Sequence, residues 1–126
     1  MVKYSAQREQ IKNYLKSTTS HPTADTVYEN VRLVNPKISL GTVYRNLSLL
    51  TELGEIQKIS CGDGIERYDY NAAPHSHFFC KQCHSLIDLD LPYMSDLNML
   101  ASRIYNGEIH DHTIQFHGIC EECVNK

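Results

Sequence analysis

The stretch SLGTVYRNLSLLTELGEIQKISCGDGIERYDY, from Ser39 to Tyr70, decides the fold. Ser39 stands where a helix N-cap belongs, since its hydroxyl can accept from an unpaired N–H of the first turn. Val43, Leu47 and Leu50 then line one helical face, and Gly54 supplies a stop. Thr42, Tyr44, Arg45 and Ser48 fall on the opposite face, near the helix start. EIQKIS and IERYDY read as two short strands, and the CGDG between them carries the residues of a hairpin turn.

Working back towards the N-terminus, PTADTVYENVRLV places Ala24, Val27, Tyr28 and Val31 at i, i+3, i+4 and i+7. That spacing makes an amphipathic helix, with Pro22 suited to open it. Before it, SAQREQIKNYLK pairs Ile11 with Leu15 in a first helix that opens at Ser5. Three helices followed by a two-stranded hairpin form a winged helix-turn-helix. In that fold the third helix enters the major groove and the wing touches the DNA backbone. Tyr44 then suits thymine methyls, and Arg45 suits a guanine edge or a phosphate, with Thr42 on the same face. Lys37 and Lys58 suit phosphate. An ordinary helical pair with a solvated face has the same pattern, so the pattern alone leaves both readings open.

The net charge of −3 hides an asymmetry. Residues 1–56 hold seven Lys/Arg against five Asp/Glu, and residues 57–126 hold five against ten. The basic surplus lies in the N-terminal half, and it is modest. No run of 18 apolar residues exists to span a membrane, and the opening MVKYSAQREQIKNYL has no signal-peptide block. The expectation is a cytoplasmic protein without a membrane partner. In that compartment thiols stay reduced, so paired cysteines favour metal or redox chemistry over disulfides.

After Asn71-Ala72-Ala73-Pro74 the character changes. HFFC and SLIDLDL read as strands around a knuckle. YMSDLNMLASRIYNG reads as a helix with Leu97, Leu100, Ala101 and Ile104 in one stripe, ending at Gly107. EIHDHTIQFHGI reads as a last strand. The fold class is therefore α+β: a winged-helix DNA-binding domain over residues 1–70, a hinge at 71–74, and a small α/β domain over 75–126.

Cys80 and Cys83 form one C-x-x-C, and Cys120 and Cys123 form another. Four thiolates suit a closed tetrahedral zinc site, which would tie the end of the chain back to the start of its domain. Thioredoxin-like redox pairs need a helix N-terminus in a βαβ setting, which neither pair has. Cys61, in the hairpin turn, is left over and is expected to be an exposed thiol without a role. His84 is expected at the surface. His75 and His77 alternate on an extended segment and so share a face. With Asp69, Asp88 and the more distant His21 they offer imidazoles and carboxylates, which suit divalent iron, manganese or zinc.

HPTADTVY at 21–28, ISLGTVYRNL at 38–47, RYDY at 67–70, HSHFFCKQC at 75–83 and the terminal C-x-x-C together resemble the ferric uptake regulator family, over nearly the whole chain. The resemblance implies a homodimeric, metal-responsive winged-helix repressor of palindromic operators on double-stranded DNA. It implies structural zinc on Cys80, Cys83, Cys120 and Cys123. It implies a regulatory Fe(II) or Mn(II) on His21, Asp69, His75, His77 and Asp88. Aspartate at 69 and 88, where iron sensors tend to have glutamate, resembles the peroxide-sensing branch, in which His21 and His75 are the positions open to oxidation.

A second metal site of the family would fall at Pro74 and Ser76, neither of which can bind through its side chain, leaving His112 alone. The resemblance also implies a helix ahead of the first one, which would end where this sequence starts. Within the family, an iron- or zinc-responsive uptake regulator is the alternative. Outside it stand a zinc-dependent interaction module and a hydrolytic metalloenzyme. An enzyme would need a positioned acid or base and an oxyanion motif, and the sequence shows neither.

Overall fold

The computed structural model describes residues 5–126. The first four residues of the polar N-terminal stretch, MVKY, lie outside it. The chain divides into two compact units, with the boundary between Ala72 and Ala73.

In the first unit, helix α1 spans Ala6–Lys16, α2 Ala24–Val31 and α3 Leu40–Glu52. Each begins on a hydroxyl cap: Ser5 Oγ accepts from the Arg8 N–H at 3.2 Å, Thr23 Oγ1 from Thr26 at 3.3 Å, and Ser39 Oγ from Thr42 at 3.1 Å. Pro22 was expected to open α2, but the helix starts two residues later, at Ala24. Pro22 belongs to the preceding turn, where its carbonyl accepts from Tyr68 N–H at 3.0 Å. Gly54, at φ 75°, ends α3 in a conformation that suits a residue without Cβ.

Strands β1 (Gln57–Ser60) and β2 (Glu66–Asp69) form an antiparallel hairpin, with Gln57 opposite Asp69 and Ser60 opposite Glu66. Ile11, Leu15, Val27, Val31, Val43, Leu47, Leu50 and Ile56 are buried in one cluster, and Tyr68 joins it from β2. Each fully buried aliphatic side chain here stabilises the fold by roughly 1.5–3 kcal/mol. The helical stripes read from the sequence are the ones that meet in this core.

In the second unit, β3 (Ser76–Cys80), β4 (Leu86–Leu89) and β5 (Gln115–Gly118) form a sheet of order β4-β3-β5. β4 runs antiparallel to β3, and β5 parallel to it. Helix α4 spans Asp96–Ile104, and a short α5 covers Glu121–Val124.

The sequence reading missed α5 and drew the last strand too long. Ile114 O still accepts from His77 N–H at 3.3 Å, but residues 110–113 leave the sheet, where His112 is engaged elsewhere. Its Nδ1 lies 2.6 Å from Asn98 Oδ1, and its ring stacks on Tyr93. α4 ends at Ile104, ahead of Gly107, because Tyr105 is already extended. The α4 stripe finds no cover among the described residues: Leu100 is 52% exposed and Ile104 89%. The buried centre of this unit is Cys80, Cys120 and Cys123, with Phe78 packed against them.

Candidate functional site

The first candidate site is the thiolate quartet. Its four sulfurs all lie within 4.8 Å of one another. Cys80 ends β3, Cys83 lies in the turn before β4, and Cys120 and Cys123 flank the start and body of α5. The knuckle closes through His84, whose φ of 63° turns the chain while its N–H donates to Cys80 O at 2.9 Å. His84 is exposed, as expected, and its ring sits 5.6 Å from that of Phe79.

Backbone N–H groups of Cys83 and Cys120 both point at Cys80 Sγ, at 3.4 Å each. The first of them is the main reason the Cys80 thiol is lowered to about 6. Cys83 is lowered by the Ser85 hydroxyl, 3.0 Å from its sulfur. Cys123 is pushed up to about 12, first by the thiol of Cys120 beside it and then by burial.

One sulfur thus ionises readily while another keeps its proton, shared with Cys120 and shielded from water. A divalent cation removes that difference. A tetrahedron with metal–sulfur bonds of about 2.3 Å has edges of about 3.8 Å. The Cys83–Cys120 sulfur separation is 3.7 Å, so the donors fit zinc.

The second set of donors is nitrogen and oxygen, and each unit holds part of it. In the first unit, His21 takes the left-handed conformation at φ 54°, which is uncommon for a residue with a Cβ. Pro22 after it disfavours the helical region, and the Tyr68 N–H to Pro22 O bond pins the turn to β2. The result places His21 Nε2 3.2 Å from Asp69 Oδ2. The other oxygen of Asp69 accepts from Asn71 N–H at 2.9 Å, which orients the carboxylate.

In the second unit, His77 on β3 stands opposite Asp88 on β4. His75 Nε2 and His77 Nε2 lie 3.1 and 3.2 Å from Asp88 Oδ1, with the two rings 4.3 Å apart. His75 Nδ1 is 2.8 Å from Ala73 O. A carbonyl only accepts, so Nδ1 carries the proton, and in the neutral ring Nε2 keeps its lone pair as a ligand atom. Two imidazole nitrogens converging on one carboxylate oxygen suit a borderline or hard divalent cation.

Asn71, Ala73 and Ser85 were not singled out by the sequence reading. The first two act through backbone groups, which residue type does not announce. Cys61 corrects an expectation. It is buried, 8% exposed, and its sulfur is one of the groups that raise the pKa of Arg67, after the larger effect of Asp63. It lies two residues beyond Ile59, and strand periodicity carries both to the face of the hairpin that bears Arg67.

The proposed reading face is open. Tyr44 is 47% exposed, which disfavours a core role, and Arg45 beside it is exposed. Arg45 Nη2 donates to Thr42 Oγ1 at 3.0 Å, so the two side chains are presented together at the start of α3. Lys37 is exposed ahead of the helix. Lys58 is exposed on β1, 3.6 Å from Glu66. Among the described residues no helix is long and apolar enough to cross a membrane.

Comparison with known proteins agrees with this inventory. The model of the ferric uptake regulator family matches residues 1–123. The chain is 33% identical over 125 residues to the peroxide-responsive repressor PerR of Staphylococcus aureus, covering 99% of this chain and 84% of that protein. The solved structure of the Campylobacter jejuni peroxide stress regulator is similar at TM-score 0.79 and 28% identity, covering 93% of this chain and 88% of that one. The Helicobacter pylori ferric uptake regulator shares the fold at TM-score 0.83 and 23% identity, covering 99% and 84%. The chain belongs to the ferric uptake regulator family.

Proposed function

We propose that this protein is a homodimeric, metal-dependent repressor that binds a palindromic operator in the cytoplasm and releases it in response to peroxide. The observation that carries the reading is the split donor set. His21 and Asp69 converge in the first unit, and His75, His77 and Asp88 converge in the second. Only residues 70–74 separate Asp69 from His75 in the chain. One exchangeable Fe(II) or Mn(II) held by both sets would couple the orientation of the reading helix to metal availability. Shifting a two-state balance from 1:99 to 99:1 takes about 5.5 kcal/mol of differential binding, a modest demand on five ligands.

In this reading the residues divide their work. The four cysteines hold a closed zinc that builds the second unit and takes no part in sensing. Its exposed α4 stripe, with Leu97, Leu100 and Ile104, meets a second copy, which pairs two reading helices for two half-sites. Tyr44 and Arg45, with Thr42, read bases, while Lys37 and Lys58 hold phosphates.

Fe(II), when bound, would activate peroxide for cleavage of its O–O bond. Overall, the imidazole of His21 or His75 would gain one oxygen atom from peroxide, the ring being oxidised by two electrons while the other oxygen leaves as water, and an oxidised imidazole is a poor ligand. Similarity to peroxide-responsive proteins at 33% and 28% identity supports this assignment.

The test loads the protein with iron anaerobically, adds peroxide, and follows operator binding alongside mass spectrometry of the His21 and His75 peptides. The expected result is added oxygen on one or both peptides, in step with loss of DNA binding. Unmodified peptides on a protein that still binds DNA only with metal would replace peroxide sensing by metal sensing.

A further inference from the structure

The hairpin tip, residues 61–65, carries no lysine or arginine. Gly62 and Gly64 hold φ values of 82° and 79°, and a Cβ at either would meet nothing within 4 Å. Glycine is needed there for backbone conformation, not for space. Asp63, between them, folds back onto the strand. Its Oδ1 accepts from Ile65 N–H at 3.1 Å, and its Oδ2 from Arg67 Nη2 at 2.9 Å. Arg67 Nη1 reaches both Asp63 Oδ1 and Ile65 O, at 3.4 Å each. One guanidinium thus grips the carboxylate and the carbonyl that together shape the tip. The side chains are only 7% and 14% exposed for Arg67 and Asp63, so water screens this pair far less than a surface ion pair. Arg67 holds the Asp63 carboxyl below its ordinary range, so it stays ionised wherever the protein is folded at neutral pH.

We propose that Asp63 and Arg67 are positioning residues for DNA binding: their ion pair sets the shape of the wing tip and cancels an acidic charge that would otherwise repel phosphate. This rests on the DNA-binding reading above. With no cation at the tip, backbone N–H groups are what it offers to a phosphate, and they hold a common direction only while the turn is closed. The wing of a winged helix is the part that meets the backbone, so an open tip weakens binding without altering base preference.

The test uses the full-length dimer loaded with zinc and Mn(II), and measures operator affinity across salt concentrations for Asp63→Asn, Arg67→Gln, the double variant and Gly64→Ala. Arg67→Gln, which opens the tip and leaves the Asp63 charge uncancelled, is expected to bind about tenfold more weakly with unchanged metal content, and Asp63→Asn, which opens the tip but sheds that charge, about threefold more weakly. Because the tip offers no cation to phosphate, the slope of log K against log salt should stay close to that of the parent. The double variant should be no worse than the weaker single, because both remove the same contact. Gly64→Ala, which opens the turn without changing charge, should reproduce the loss and decides the matter if an ion-pair variant fails to fold. Arg67→Gln and Gly64→Ala affinities within twofold of the parent overturn the proposal while leaving the regulator reading intact. A parent that binds no DNA overturns that reading and the proposal with it.

Discussion

The two units of this chain bury themselves in different ways. The first collects eleven buried residues, from Ile11 to Tyr68, into one cluster fed by three helices and a hairpin. The second has three cysteines at its buried centre and leaves the apolar stripe of its longest helix facing outward. Hydrophobic burial is the main resource of the first. The second, at 54 residues, lies in the size range where a metal or a partner chain commonly supplies what the core cannot. The difference teaches where each kind of metal belongs. A thiolate-bound ion would do structural work inside the second unit, and the nitrogen and oxygen donors of both units would suit a reversible ion.

The largest expected effect comes from removing the thiolate ion. Structural zinc contributes on the order of 10–16 kcal/mol of apparent binding free energy in small zinc-dependent folds. Strong chelation, or Cys123→Ser, should expose residues 73–126 to proteolysis while the helices of the first unit stay protected. Equal resistance of both units after complete zinc loss would erase the contrast between them.

A smaller effect is expected at α4. Leu100→Asp places a charge on the exposed stripe and should raise the dimer dissociation constant by at least about tenfold, because a buried unpaired charge is costly at an interface. Sedimentation of the zinc-loaded protein measures it. A variant that remains dimeric at every concentration would place the pairing surface elsewhere.

Much of this was legible before any coordinates. Val43, Leu47 and Leu50 announced α3 because burial in a helix repeats every three to four residues, and the hydroxyls of Ser5 and Ser39 marked the starts of α1 and α3. The cysteine pairs were legible because thiolate chemistry restricts spacing, and the structure brings their four sulfurs together.

What stayed hidden was local competition. Pro22 looked like a helix opener, yet its carbonyl is used by Tyr68, so Thr23 does the capping. The last strand looked longer than it is because the pairing of His112 with Asn98 and Tyr93 depends on a neighbour across the fold. Cys61 looked exposed because turns generally are, but its register puts it on the Arg67 side of the hairpin. The left-handed conformation of His21 has no sequence signal beyond the proline that follows it.

The central claim is that an exchangeable ion on His21, Asp69, His75, His77 and Asp88 controls DNA binding, apart from the zinc. The direct measurement is operator affinity of the zinc-retaining protein with and without added Mn(II), compared with an Asp88→Ala variant under the same conditions. The account predicts tight binding only for the parent with Mn(II), at least about a hundredfold above the other three samples, which corresponds to roughly 2.7 kcal/mol. Equally tight binding by the zinc-only parent would contradict it.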